Sequence, residues 1–232
     1  MANAVASAAA SHVFLCLPQA LSGQQMEAVS NAAVDAAKSS GVVQRLVRVG
    51  SLGIDGSGPG QGALGDAHVA CEVHCRAAGV ALSSVRPTSF HTNFVNYDVA
   101  TLCKEDCLLP EPARERGEGE LGPLARTSGG SRLHCCSNPR QTAVCDEVVE
   151  VTGPPESTLS APEMAALLTE ELGRSIRYEE VAPPPVPEYA ELWAFLRAGG
   201  FGRSIDTVGA LTGQPAMDFR AIVRENKAAL EW

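Results

Sequence analysis

His68 and Glu72 stand four residues apart in "DAHVACEVHCRAAG", a spacing that sets both side chains on one face of a helix. An imidazole so placed suits hydrogen bonding or proton transfer, because its ordinary pKa of about 6.5 lies near neutrality. A solvated His–Glu contact on a helix surface is the plainer reading of the same pair. Cys71, His74 and Cys75 share a face of the same segment, Cys103 and Cys107 are four apart, and His134, Cys135 and Cys136 are consecutive. Thiolates and imidazoles in fours suit Zn²⁺. No pair shows the compact turn spacing of a structural zinc site, and Cys71 and Cys75 fall where a small apolar side chain serves a helix equally well. No metal site is assigned.

Two stretches fit G-x-G-x-x-G, Gly60 to Gly65 and Gly117 to Gly122. A phosphate-cradling loop of that pattern follows its strand at once and has an acidic residue about 20 positions later. Gly60 lies nine positions after Ser51, the next predicted strand ends in Arg86, and Glu118 and Glu120 in the second match would repel a pyrophosphate. Neither is taken as a nucleotide loop.

The elements that hold these residues follow from periodicity. Residues 13–17, all apolar and closed by Pro18, predict a short strand buried on both faces. Ser22 and Gln25 form a capping-box pattern ahead of a small-residue helix ended by Gly41. Residues 46–49 are a strand running into Gly50-Ser51-Leu52-Gly53, Asp66 caps a helix stopped by Gly79, and residues 80–85 make a third strand ending at Arg86-Pro87. This rhythm belongs to a parallel sheet with right-handed crossovers. Residues 98–146 lose all periodicity and read as an irregular insertion or loop. Residues 147–152 and 176–181 are strands, Ser160 and Glu163 cap a helix ended by Gly173, and helices span about 188–198 and 218–230. Three parts result: a Rossmann-like core over 1–97, the insertion over 98–146, and a last core strand with a small C-terminal α/β lobe over 147–232.

Composition bounds the function. A net charge of -9 with scattered Lys and Arg argues against direct nucleic-acid binding, which needs a basic stripe. Eight cysteines without a secretory pattern suit a reducing, cytoplasmic setting. No apolar stretch approaches the ~20 residues that span a bilayer.

Four stretches, "VFLCLP…NAAVDAAKSSGV", "RLVRVGSLGID", "HVACEVHCRAAGVALSSVRPTSFHTNFVNY" and "VVEVTGPPESTLSAPEMAALLTEELGRSIRYEEV", with the tail "LTGQPAMDFRAIVREN", carry a family likeness. Through them the chain resembles the NmrA-like group of atypical short-chain dehydrogenase/reductases over residues 12–97 and 147–230. The resemblance implies a Rossmann-type α/β fold that binds NAD(P) and reduces a quinone or related carbonyl acceptor. It also implies that the strand at 13–17 is the fourth of the family's sheet, so that roughly 70 residues with the glycine-rich loop are missing, on the ~25-residue size of each strand–helix unit. Weak or lost NADP binding is the expectation, together with an exposed sheet edge prone to self-association. The alternatives are a nonenzymatic redox-sensing or regulatory protein of the same fold and an incomplete gene product.

The same likeness places Pro18, Ser51, Leu52, His68, Pro87, Thr88 and Phe90 along the cofactor and substrate crevice at the carboxyl ends of the strands. His68 matches a position commonly Lys or His beside the nicotinamide and is the candidate catalytic residue. The Tyr-x-x-x-Lys pair of typical short-chain dehydrogenases is absent. For Ser51 and Thr88, simple turn capping stands as the other reading.

Overall fold

The computed structural model describes residues 10–18, 21–54, 61–88, 90, 107–108, 147–178 and 187–230. They fall into two compact units, Met1–Pro87 with Leu133–Glu150, and Thr88–Arg132 with Val151–Trp232. The expected Gly117–Gly122 match and the cysteines at 103, 135 and 136 lie outside the described residues.

In the first unit, strands β1 (His12–Leu15), β2 (Arg45–Val49) and β3 (Ala81–Pro87) pair in parallel, with β5 (Glu147–Val151) next to β3, giving the order β1-β2-β3-β5. Helices α1 (Gly23–Ser40) and α2 (Gly62–Ala78) join them. The α/β fold inferred from the alternation of elements is the fold found. Its α1 begins where the capping box predicts: the Ser22 hydroxyl accepts from the Gln25 N–H at 3.3 Å, and the Gln25 side chain accepts from the Ser22 N–H at 3.0 Å. Val34 and Ala37 of α1, Cys75 of α2, Leu46 of β2 and Leu82 of β3 form one apolar cluster against the sheet. The helices approach closely at their starts, where a Cβ on Gly23 would lie 2.7 Å from the Ala63 carbonyl oxygen. Glycine is the residue that permits this.

Two expectations need correction here. Strand β1 is not buried on both faces; exposure alternates along it, Val13 and Leu15 facing the cluster while Phe14 is 57% exposed. The described helices pack against the face that Val13 and Leu15 share, which leaves Phe14 on the uncovered face. Helix α2 starts at Gly62, four residues before Asp66, which therefore sits inside the helix rather than capping it.

In the second unit, α3 (Ala161–Leu172) packs its Met164, Leu168 and Leu172 against Phe219 and Val223 of α6 (Phe219–Glu225). The Glu163 carboxylate accepts from the Ser160 N–H at 2.7 Å, completing the predicted cap. Strand β4 (Cys107–Leu108), within the stretch read as irregular, pairs in parallel with β6 (Arg177–Tyr178). Helices α4 (Pro187–Arg197), α5 (Thr207–Thr212) and α7 (Lys227–Leu230) complete the unit. The helix expected over 218–230 is two helices, broken at Asn226, whose side-chain amide donates to the Ile222 carbonyl. Thr152 ties the loop after β5 to the lobe: its hydroxyl donates to the Ile205 carbonyl at 3.1 Å and accepts from the Ile205 N–H at 2.7 Å. Among the described residues no helix is long and apolar enough to cross a membrane.

Candidate active site

The layer between the sheet and its helices changes character along the strands. Side chains two apart share a face, so Leu46 and Arg48 of β2 point the same way, as do Leu82, Ser84 and Arg86 of β3. The register sets Leu46 beside Leu82 and Arg48 beside Ser84. At the amino ends the layer is apolar; at the carboxyl ends it is charged. Helix α2 matches the gradient, offering Cys75 to the apolar end and Glu72 and His68 to the polar one.

Glu72 is 1% exposed and spends its carboxylate on β3. Its Oε1 accepts from the Ser84 hydroxyl at 2.6 Å and from Arg86 Nε at 3.0 Å; its Oε2 accepts from Arg86 Nη2 at 2.7 Å and Arg76 Nη2 at 3.3 Å. Burial pushes the Glu72 pKa up, but hydrogen bonds from Arg86 and Ser84 and the charges of Arg86 and Arg76 outweigh it and hold the carboxyl below its usual range. The expected His68–Glu72 contact is therefore not made. Instead Arg48, fully buried, approaches His68 Nδ1 with its Nη2 at 2.9 Å. Guanidinium has only donors, so Nδ1 accepts and the ring proton sits on Nε2. Burial first, then the charge of Arg48, with Arg86 adding and Glu72 opposing, lowers the His68 pKa to about 4. His68 is thus neutral at neutral pH, and the expectation of a ring that switches protonation there is corrected.

Leu52 and Pro87 meet through a backbone bond, Leu52 N–H to the Pro87 carbonyl at 2.9 Å. The Ser51 hydroxyl donates to Gln61 Oε1 at 3.0 Å, and the Gln61 amide donates to the Leu52 carbonyl. Gln61, 3% exposed, locks the loop after β2 against the start of α2. Ser51, Leu52, His68 and Pro87 belong to the first unit; Pro18 is exposed beyond β1. Thr88 and Phe90 belong to the second unit, where Thr88 is 3% exposed and donates its N–H to the Val151 carbonyl at 3.1 Å. His74 turns away to Asp35 of α1, 2.8 Å distant, and Cys71 and Cys75 are fully buried. Among the described residues no group of three or more His, Cys, Asp or Glu is placed to hold a metal ion.

Comparison with solved structures supplies the fold's relatives. An NADPH-dependent quinone oxidoreductase from Escherichia coli, in complex with NADPH, superposes with a TM-score of 0.70 at 18% identity, covering 97% of this chain and 80% of its own. NmrA, a negative transcriptional regulator, superposes at 0.65 with 15% identity over 97% of this chain and 77% of its own. The chain has the NmrA-like Rossmann-type fold. A nucleoside-diphosphate-sugar epimerase from Staphylococcus aureus shares it too, with a TM-score of 0.73 and 15% identity over 96% of this chain and 80% of its own. No protein-family model and no curated protein sequence matches the chain.

Within this NmrA-like fold the sequence reading missed Arg48, Arg86 and Gln61. A signal for the first two was present: each shares strand parity with a core leucine, Leu46 or Leu82, so each had to point into the helix-covered layer. Gln61 carried none, because the sequence before it has no periodicity.

Proposed function

We propose that the chain is an NAD(P)-binding protein of the reductase type, acting on a quinone or related carbonyl acceptor, with His68 as its hydrogen-bond donor to ligand. The observation that carries this reading is the neutral His68 ring. Its Nδ1 is occupied by Arg48, and Nε2 has no protein partner among the described residues. A neutral imidazole donor polarises a carbonyl or holds a ribose hydroxyl without giving up its proton.

The residues fit a nicotinamide nucleotide in chemistry: a free imidazole N–H, the Ser51 hydroxyl and the backbone beside Leu52 lie at the strand carboxyl ends, where open α/β sheets take ligands. The nucleotide would supply hydride. His68 would hold the acceptor oxygen, and the buried Glu72–Arg86 pair would keep α2 and β3 at the distance this needs. Fully buried Leu52 would keep water from the floor of the loop. Affinity for NADPH is expected to be weak, because neither G-x-G-x-x-G match in the sequence stands directly after a strand with an acidic residue about 20 positions later.

A regulatory reading without turnover has one observation in its favour: a ring that is neutral across physiological pH is a poor proton donor. Among the described residues β1 ends the strand order and Phe14 on it is exposed, which supports self-association as a partner mode.

Titrating NADPH, and separately a soluble quinone, into the ¹⁵N-labelled 232-residue chain tests the reading at weak affinity. Shifts at Ser51, Leu52 and His68 are expected with NADPH in the range above ~1 μM, that is weaker than about -8 kcal/mol. No shift at those residues up to millimolar nucleotide would overturn the assignment. NADPH oxidation by the quinone, slowed ~10²-fold in His68→Ala and unchanged in His74→Ala, would separate the enzyme from the regulator.

A further inference from the structure

We propose that Arg48 is a positioning residue for His68: its buried guanidinium donates to Nδ1 and holds the ring in the single form that presents an N–H at Nε2 to an acceptor atom. Three observations support it. Arg48 is fully buried, yet among the described residues its Nη2–His68 contact is the one hydrogen bond of its side chain; Nε and Nη1 are enclosed without a partner there. Such an arrangement costs stability, since a buried cation normally finds a carboxylate. The one buried carboxylate in the layer, Glu72, is committed to Arg86, Ser84 and Arg76 instead.

The surroundings are shaped around the guanidinium. A Cβ on Gly50 would stand 3.3 Å from Arg48 Nη1 and 3.3 Å from the Ser84 hydroxyl, tighter than ordinary packing. Glycine at that position leaves the Arg48 head group its room. A leucine or methionine at position 48 would continue the apolar layer of Leu46 and Leu82 and remove two orphaned donors, so packing alone does not call for arginine. What arginine supplies is direction. A neutral histidine has two forms, and only a permanent donor at Nδ1 selects the one with Nε2–H. The charges facing the ring are Arg48 from β2, Arg86 from β3 and Glu72 from its own helix, so the nearby balance is cationic and opposes a second proton on the ring.

The ligand consequence is a class: an uncharged or anionic acceptor, such as a carbonyl oxygen or a hydroxyl, in preference to a donor group. This consequence rests on the functional reading of His68, whereas the state of the ring does not and is measured without ligand. In ¹⁵N-histidine-labelled protein, long-range proton–nitrogen correlation identifies which ring nitrogen carries the proton, and a His68→Asn sample assigns the signal. The wild type is expected to hold a neutral ring with its proton on Nε2 from pH 8 to below pH 5, in keeping with a pKa of about 4. A proton on Nδ1, or a titration midpoint above pH 6, overturns the proposal without any variant. In Arg48→Met the unfolding temperature should equal or exceed that of the wild type, while the His68 midpoint moves to higher pH and the ring populates both neutral forms. Arg48→Lys, which keeps the charge, should keep the low midpoint. Loss of stability in Arg48→Met with the His68 signal unmoved would make Arg48 structural only. A correctly held ring that ignores both NADPH and quinone would leave the proposal standing and remove the functional reading.

Discussion

Replacing Glu72 by Gln probes the charged end of the buried layer. The substitution conserves shape, removes the negative charge and turns an amide NH₂ toward at least one of the four donors that now converge on the carboxylate. Arg86, 8% exposed, then loses the carboxylate that accepts from its Nε and Nη2, close to Arg48, which has no carboxylate partner among the described residues. Breaking a buried pair on one side costs about 3–5 kcal/mol. For a chain of this size each kcal/mol moves the melting temperature by roughly 2–4 °C, so a fall of roughly 6 to 20 °C is expected.

Thermal unfolding followed by far-ultraviolet dichroism, with hydrogen exchange to localise the loss to α2 and β3, reads this directly. The double variant Glu72→Leu/Arg86→Met should recover most of the stability, because it removes both charges together. The pH dependence has a definite sign. The folded Glu72 pKa is held below its ordinary value, so its stabilisation is complete above the ordinary carboxyl range of about 4.3 and is lost as pH falls through the folded value. The gap between wild type and Glu72→Gln should therefore close in acid. A single-variant loss under ~1 kcal/mol, the size seen for solvated pairs, would refute the reasoning.

His68 titrates in a different window. Its folded pKa of about 4 lies below the unfolded value of about 6.5, so the unfolded chain takes up the proton first and stability falls from pH 6.5 toward pH 4, by about 3 kcal/mol at most. Urea unfolding at stepped pH should show that slope in the wild type and lose it in His68→Gln. Thr152→Val should cost about 1–3 kcal/mol, seen by the same method, since it leaves the Ile205 N–H and carbonyl without their side-chain partner. Sedimentation across micromolar concentrations should show association of the wild type that weakens in Phe14→Lys, a change at an already solvent-facing position of the β1 edge; a monomer throughout would remove the edge as a partner surface.

Local signals with a direct physical cause were legible. Ser22 with Gln25 and Ser160 with Glu163 marked helix starts because the capping side chains satisfy the very donors that a helix start leaves open. The strand–helix alternation carried the fold class for a similar reason. Signals that depend on tertiary context were less legible. Five consecutive apolar residues at 13–17 conceal that Phe14 faces outward, since periodicity cannot show which side of an edge strand is covered. Gly62 and Gly65 disguise the first turn of α2, whose start is held by Gln61 and the neighbouring loop rather than by a capping side chain. His68 was found by its type, but its partner was not, because Arg48 lies twenty residues away on a different element.

That partner shows how the two ends of one layer divide the work. At the amino ends of the strands, Leu46, Leu82, Val34 and Cys75 bury apolar surface, and each added methylene there stabilises the fold. Continuing the same pattern through positions 48, 84, 86 and 72 would extend that gain and remove every buried charge between sheet and helix. The chain instead carries two arginines, a serine and a glutamate at these positions, beside His68, with two guanidinium nitrogens of Arg48 left without a partner among the described residues. Stability alone does not account for such a set. The proposed ligand role does, since the carboxyl ends of parallel strands are where open α/β sheets take their ligands. A ring held neutral and aimed by a buried cation has a use there that an apolar side chain would lack, and its cost falls on the one part of the layer where rigidity of orientation matters more than burial.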